Sequence, residues 1–235
     1  MTYKKLVSEL KSLEDKNQAK NLQRFFKTGP GQYGEGDIFL GIKVPVQRQI
    51  VKKYFNISLC DTEALLQSKI HEQRLVALLI LVKKYEIAKN EIEKKQIFDV
   101  YIKNRKYINN WDLVDLSAPN IIGNYLLNKD RQILYEFAKS DHLWTKRIAI
   151  LSCFAFIRNG ETHDTLKIAQ ILLNDKHDLI HKAVGWMLRE LGKRVSQDKE
   201  EEFLNKYYKK MPRTMLRYAI ERFSNKKKKF YMKKD

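Results

Sequence analysis

Glycine and proline are scarce in this chain: nine and four among 235 residues. Turn-rich β architectures need many of both, so their shortage argues for long helices. Cysteine is rarer still. Cys60 and Cys153 stand far apart in apolar surroundings, form no CxxC pair and offer no metal-ligand spacing, and read as reduced, buried thiols of a cytosolic protein. No run approaches membrane-spanning length, and the amphipathic start MTYKKLVSEL carries no apolar signal core. The expectation is a soluble, cytoplasmic protein that does not engage a membrane. GxxxxGK[ST], HExxH, GxSxG and zinc spacings are also missing, and no nicotinamide, flavin or ATP site is visible. His177 and His181 share a helical face but lack a third ligand, so no metal or organic cofactor is expected.

What the chain has in excess is positive charge. Lys and Arg total 46 against 28 acidic residues, a formal net of +18. Such a field concentrates polyanions, nucleic acid first among them. Hydrophobic content of 43% with 12 Tyr, 11 Phe and 3 Trp fits a folded protein with a sizeable core.

The charge is placed on a repeat. Segments beginning near His71, Trp111, Trp144, Ile180 and Arg213 resemble one another, and aligning Arg74, Asp112, Arg147, Lys182 and Arg217 gives steps of 38, 35, 35 and 35 residues. Second amphipathic segments lie between them: Glu93–Lys103, Gln132–Ala138, Thr165–Leu173 and Glu200–Tyr208. Helix pairs at that period predict an all-α fold, an α-solenoid of HEAT-like antiparallel pairs whose concave side forms a groove. Residues 1–225 then form one domain, and the Lys-rich run 226–235 reads as a frayed tail with affinity for polyanions. Residues 3–27 read as helical with a break around Glu14–Asn17, and Pro45 opens a further helix. The literal G-x-G-x-x-G of Gly29, Gly31 and Gly34 follows a helix rather than a strand, so it reads as a connection bringing backbone amides and Tyr33 to a surface.

Four of the five aligned positions are cationic; the fifth is Asp112. Around it runs Asn109-Asn110-Trp111-Asp112-Leu113-Val114-Asp115. On a helix capped by Asn109 or Asn110, Trp111 and Asp115 share one face. Taken alone this is a capped helix with a core Trp and solvated Asp residues. In a basic groove, however, a carboxylate among aromatics has a use: it stabilises the positive charge that develops on a sugar as its glycosidic bond breaks. Alkylated purines that already carry positive charge leave without a strong general acid, so an electrostatic site suffices.

The sequence resembles the AlkD family of DNA alkylation repair glycosylases, built from HEAT-like repeats, over roughly residues 3–224. The resemblance rests on Tyr33–Pro45 (YGEGDIFLGIKVP), Asn110–Asp115 (NWDLVD), Leu143–Arg147 (LWTKR) and Lys182–Glu190 (KAVGWMLRE). It implies that Asp115 is the catalytic aspartate, that Trp111 and Trp186 pack against the deoxyribose of the lesion, and that Arg147 holds the DNA backbone. It also implies action without flipping the damaged base into a pocket. Lys146, Lys182, Arg189, Arg217, Arg74 and Tyr33 complete the expected DNA contacts, while Trp144 reads as core. The expected activity is hydrolysis of the N-glycosidic bond of 7-methylguanine or 3-methyladenine in duplex DNA by a monomer. The alternative is a non-catalytic HEAT-like scaffold that binds nucleic acid or protein. The sequence assigns no role to Asp112.

Overall fold

A computed structural model describes residues 2–233, and within them the chain is all-α: fourteen α-helices and, in place of strands, a lone β-bridge between Ile38 and Ile70. The helices group into two compact units, Met1–Ser117 and Ala118–Asp235.

The first unit holds α1 (Tyr3–Ser12), α2 (Lys16–Phe25), α3 (Val44–Tyr54), α4 (Leu59–Leu66), α5 (His71–Ile87), α6 (Glu91–Asn104) and the start of α7 (Trp111–Ala118). The expected break after α1 is real, and Asp15 makes it: its carboxylate accepts from the backbone N–H groups of Asn17 and Gln18, leaving α2 capped and independent. Pro45 sits in the first turn of α3, where its missing N–H costs nothing. Helices α3, α4 and α6 pack around α5. Every residue from Leu75 to Val82 of α5 is buried, because a helix that is apolar on all sides finds its minimum in the interior.

In the second unit a π-helical turn over Pro119–Gly123 precedes α8 (Gln132–Ala138), α9 (Leu143–Arg158), α10 (His163–Ile171), α11 (Asp178–Arg194), α12 (Gln197–Tyr207), α13 (Arg213–Ala219) and α14 (Asn225–Met232). Two rows result, as the repeat requires. Helices α9, α11 and α13 pack side by side, and α8, α10 and α12 cover them. Gly185 permits a close approach of α11 to α13, since a Cβ there would stand 2.4 Å from the backbone oxygen of Met215.

Two expectations are corrected. Cys60 is exposed on α4 while Cys153 is buried. Thr62, Leu65 and Leu66 mark the inward face of α4, and Cys60 lies away from it at helical spacing. Residues 225–232 are helical rather than frayed. Tyr231 is buried and donates to Asn205 Oδ1 at 2.9 Å, and Lys227 pairs with Glu201. Lys234 and Asp235, the end of the expected tail, lie outside the described residues.

Candidate functional site

The first turn of α5 buries four polar residues in succession, His71, Glu72, Gln73 and Arg74. Buried charge needs partners, and those of His71, Glu72 and Arg74 include the glycine-rich loop before α3. Glu72 accepts backbone N–H groups from Leu40 (2.9 Å), Gly41 (2.8 Å) and Ile42 (3.2 Å). Gly41 has φ +86°, and a Cβ there would stand 2.2 Å from the backbone oxygen of Asp15. Only glycine fits. Arg74 donates to Asp37 Oδ1 at 2.7 Å and to the Ser68 carbonyl at 2.9 Å.

His71 sits between two carboxylates: Nδ1 lies 3.3 Å from Asp37 and Nε2 lies 2.8 Å from Asp112. A neutral imidazole has one N–H, so donation to both requires the imidazolium. Burial alone would lower the pKa of His71, but the Asp112 carboxylate and the hydrogen bonds to Asp112 and Asp37 outweigh it and raise the group to about 9. Asp37 is correspondingly held below the usual carboxylate range: burial would raise it, yet hydrogen bonding to His71 and the charges of Arg74 and His71 prevail. Asn109 and Asn110 both donate to Asp37 as well.

A pile of rings parallels this ionic chain. Trp111 stacks on Phe26 (5.1 Å between centroids, 18° between planes), Phe26 on Phe39 (5.1 Å, 21°), and Phe39 on the His71 ring (4.4 Å, 19°). Since His71 also bonds Asp112, the pile returns to α7 one residue from where it left. The first turn of α7 is thereby fixed from two sides. Asn110 Oδ1 accepts from Trp111 N–H, and Asp112 Oδ1 from Leu113 N–H. Asp112 is thus an anchor for α7, a role the sequence left open.

Trp111 and Asp115, four residues apart on α7, are both half-buried. Phe25, 63% exposed, meets Trp111 edge-on at 5.9 Å. Tyr101 is buried, and its phenol is pushed up by burial and, in the same direction, by the Asp115 charge. Tyr33 is half-buried, with the Lys27 ammonium 6.0 Å from its ring centroid. Arg74, expected to face DNA, is instead 3% exposed and committed to Asp37.

The remaining candidates belong to the second unit. Trp186 on α11 is half-buried and lies 6.1 Å from Phe154 of α9. The guanidinium groups of Arg158 and Arg194 stand 4.3 and 5.2 Å from the Phe154 ring, a cation–aromatic cluster that single-position reading of the repeat overlooks. Arg147 is 4% exposed and donates to the Leu179 carbonyl at 2.6 Å. Lys146 pairs with Asp175, Lys182 with Asp178 at 2.7 Å, and Arg189 with Glu221. Arg217 is exposed and Trp144 buried. His177 and His181 serve locally: His177 Nδ1 accepts from Leu179 N–H, and His181 Nε2 lies 2.5 Å from the Asp175 carbonyl.

A solved structure described as a predicted DNA alkylation repair enzyme from Enterococcus faecalis has the same fold: TM-score 0.70 at 18% identity, covering 90% of this chain and 97% of that one. No curated protein matches the sequence. A family model described as DNA alkylation repair enzyme matches residues 6–223. The chain belongs to the DNA alkylation repair enzyme family.

Proposed function

We propose that the protein is a DNA glycosylase that releases cationic alkylpurines, 7-methylguanine and 3-methyladenine, from duplex DNA. The observation that carries this reading is the pairing of Trp111 and Asp115 on the half-buried face of α7, in a chain of +18 net charge from a DNA alkylation repair family. In the proposed reaction the C1′–N bond of the lesion breaks and its electron pair neutralises the cationic base, which departs without needing a proton. Asp115 stabilises the positive charge left on the sugar and orients the water that adds to C1′; the proton of that water passes to Asp115 and on to solvent. Trp111, backed by Phe26, packs against the deoxyribose. No base-flipping step is required.

Backbone contacts are assigned to Lys182 and Arg217, to Lys146 and Arg189, and to the Arg158–Arg194 cluster around Phe154. A backbone contact is assigned to Arg147 as well, whose Nη1 donates to the Leu179 carbonyl.

The test is release of 7-methylguanine from methylated duplex by the wild type and by Asp115→Asn, with binding of undamaged duplex measured for both. Release that falls about 10²-fold or more while binding persists supports the assignment. Tight binding with no release by either protein would leave the non-catalytic scaffold.

A further inference from the structure

One cavity of the first unit stands apart from Trp111 and Asp115. It has a volume of about 280 Å³ and is walled by residues that include Lys69, Arg74, Lys106, Tyr107 and Asn109. Its cationic side chains differ in kind. Lys69 and Lys106 are exposed, and neither enters an ion pair among the described residues. Lys106 rests over the Tyr107 ring at 4.9 Å, and both residues line the cavity. Arg74 is a buried charge in the wall, and its Nε lacks an acceptor, as does Asn109 Oδ1 a donor. A nine-tenths buried guanidinium with an unused N–H is costly unless something accepts from it.

The acidic residues of the wall are already engaged. Asp37 is held by Arg74, His71, Asn109 and Asn110, and Glu35 accepts the Gly31 N–H at 2.8 Å. Ser68 and Lys69 lie just before Ile70, the N-cap of α5, so the positive end of that seventeen-residue helix dipole adds to the field at the wall. The cavity therefore offers two ammonium groups outside any ion pair among the described residues, a buried guanidinium in its wall and an Asp37 carboxylate balanced by Arg74 and His71, while Glu35 keeps its charge at an exposed position. That arrangement suits a compact anion with several acceptor oxygens.

We propose that this cavity binds a phosphate group, contacted by Lys69 and Lys106, and that its source is the backbone of the nucleic acid the protein holds. The choice of source rests on the DNA reading above; the site itself does not. Asn109 gives the site a bearing on the rest of the unit. It lies in the cavity wall, donates to Asp37 and stands two residues before Trp111, so a phosphate seated here fixes the register of the backbone relative to α7.

The experiment uses the full chain, a Lys69→Gln/Lys106→Gln variant, and a Lys16→Gln/Lys20→Gln control carrying the same charge change on exposed positions of α2. Duplex affinity is measured against salt for all three, and the amide resonances of Lys69, Tyr107 and Asn109 are followed as inorganic phosphate is added. For the cavity variant we expect a log–log salt slope smaller by about one, the signature of one lost phosphate contact, with the control slope unchanged. Phosphate should shift those amides in the wild type and not in the cavity variant. An amide response with an unchanged slope keeps the phosphate site and overturns the backbone as its source. No response together with slopes equal to the control overturns the site. Release of 7-methylguanine is a separate readout: a protein without it that still shows the slope change sinks the glycosylase reading and leaves the phosphate site standing.

Discussion

Raising the pH from 6.5 towards 10 should remove the ionic support of α7, and the loss can be calculated. His71 titrates at about 9 in the folded protein, against an ordinary value of 6.5. The folded state therefore holds a proton that the unfolded chain releases, so the stabilisation is complete below pH 6.5 and drains away as pH rises through 9. The gap between the two values corresponds to about 3 kcal/mol, a large share of the roughly 5–15 kcal/mol that stabilises a domain. His71 is 2% exposed, so solvent screening does little to reduce it. The assay is urea unfolding at half-unit pH steps for the wild type and Asp112→Asn. The variant keeps the shape of the contact but removes the charge that holds the imidazolium. The wild-type stability should fall by up to about 1.4 kcal/mol per pH unit between 6.5 and 9, and the variant curve should be distinctly flatter there. Parallel curves across that window would show that His71 is not held as an imidazolium by Asp112, and the two-carboxylate account would fail.

Further outcomes follow from single groups. Glu72→Gln keeps the size of the side chain but weakens three charge-assisted bonds to Leu40, Gly41 and Ile42; we expect a loss of about 2–3 kcal/mol, read as a lower urea midpoint. Glu200 is 2% exposed and burial, with the Glu201 charge, raises it to about 8; the folded state keeps its carboxyl protonated, so stability falls as pH rises from 4.5 to 8, and Glu200→Gln should abolish that part of the slope. Gly185→Ala forces a Cβ to within 2.4 Å of the Met215 oxygen, and thermal unfolding should report a loss of about 1–3 kcal/mol as α11 and α13 move apart.

The fold was legible because its signal is periodic. A step of 35 to 38 residues and an apolar helix face in every repeat survive local irregularity, and α5, α9, α11 and α13 begin where the repeat places them. The break at Asp15 and the start of α3 at Pro45 were legible for a different reason, since capping and proline chemistry are local. His71 was not. It binds residues 34 positions before it and 41 positions after it, and nothing in the string HEQR distinguishes a sandwiched imidazolium from a solvated first turn. Arg74 failed in the same way: its repeat position matched Arg147 and Arg217, but Asp37 on a distant loop claimed it. The Lys-rich run misled because repulsion between neighbours is visible in sequence, whereas the anchoring of Tyr231 by Asn205 is not.

The arrangement around α7 also explains why a charged network and a pile of rings occur together. On the proposed reading Trp111 meets a sugar, and it then gains from holding its ring plane before the substrate arrives, since ordering a side chain on binding costs about 0.5–1.5 kcal/mol. Stacking on Phe26 sets that plane, but rings alone leave rotation of the whole first turn available. The bond from His71 to Asp112 removes that freedom, because Asp112 follows Trp111 directly in the chain. The imidazolium in turn lies flat against Phe39, so its charge is stabilised by a ring face as well as by two carboxylates. On the proposed reading, Asp112→Asn should then lower base release by loosening Trp111 while leaving Asp115 in place. Its effect should be partial, on the order of 10-fold, where that of Asp115→Asn is nearly complete. Equal losses for the two variants would mean that Asp112 acts on the substrate itself, and the separation of anchor from catalyst would be wrong.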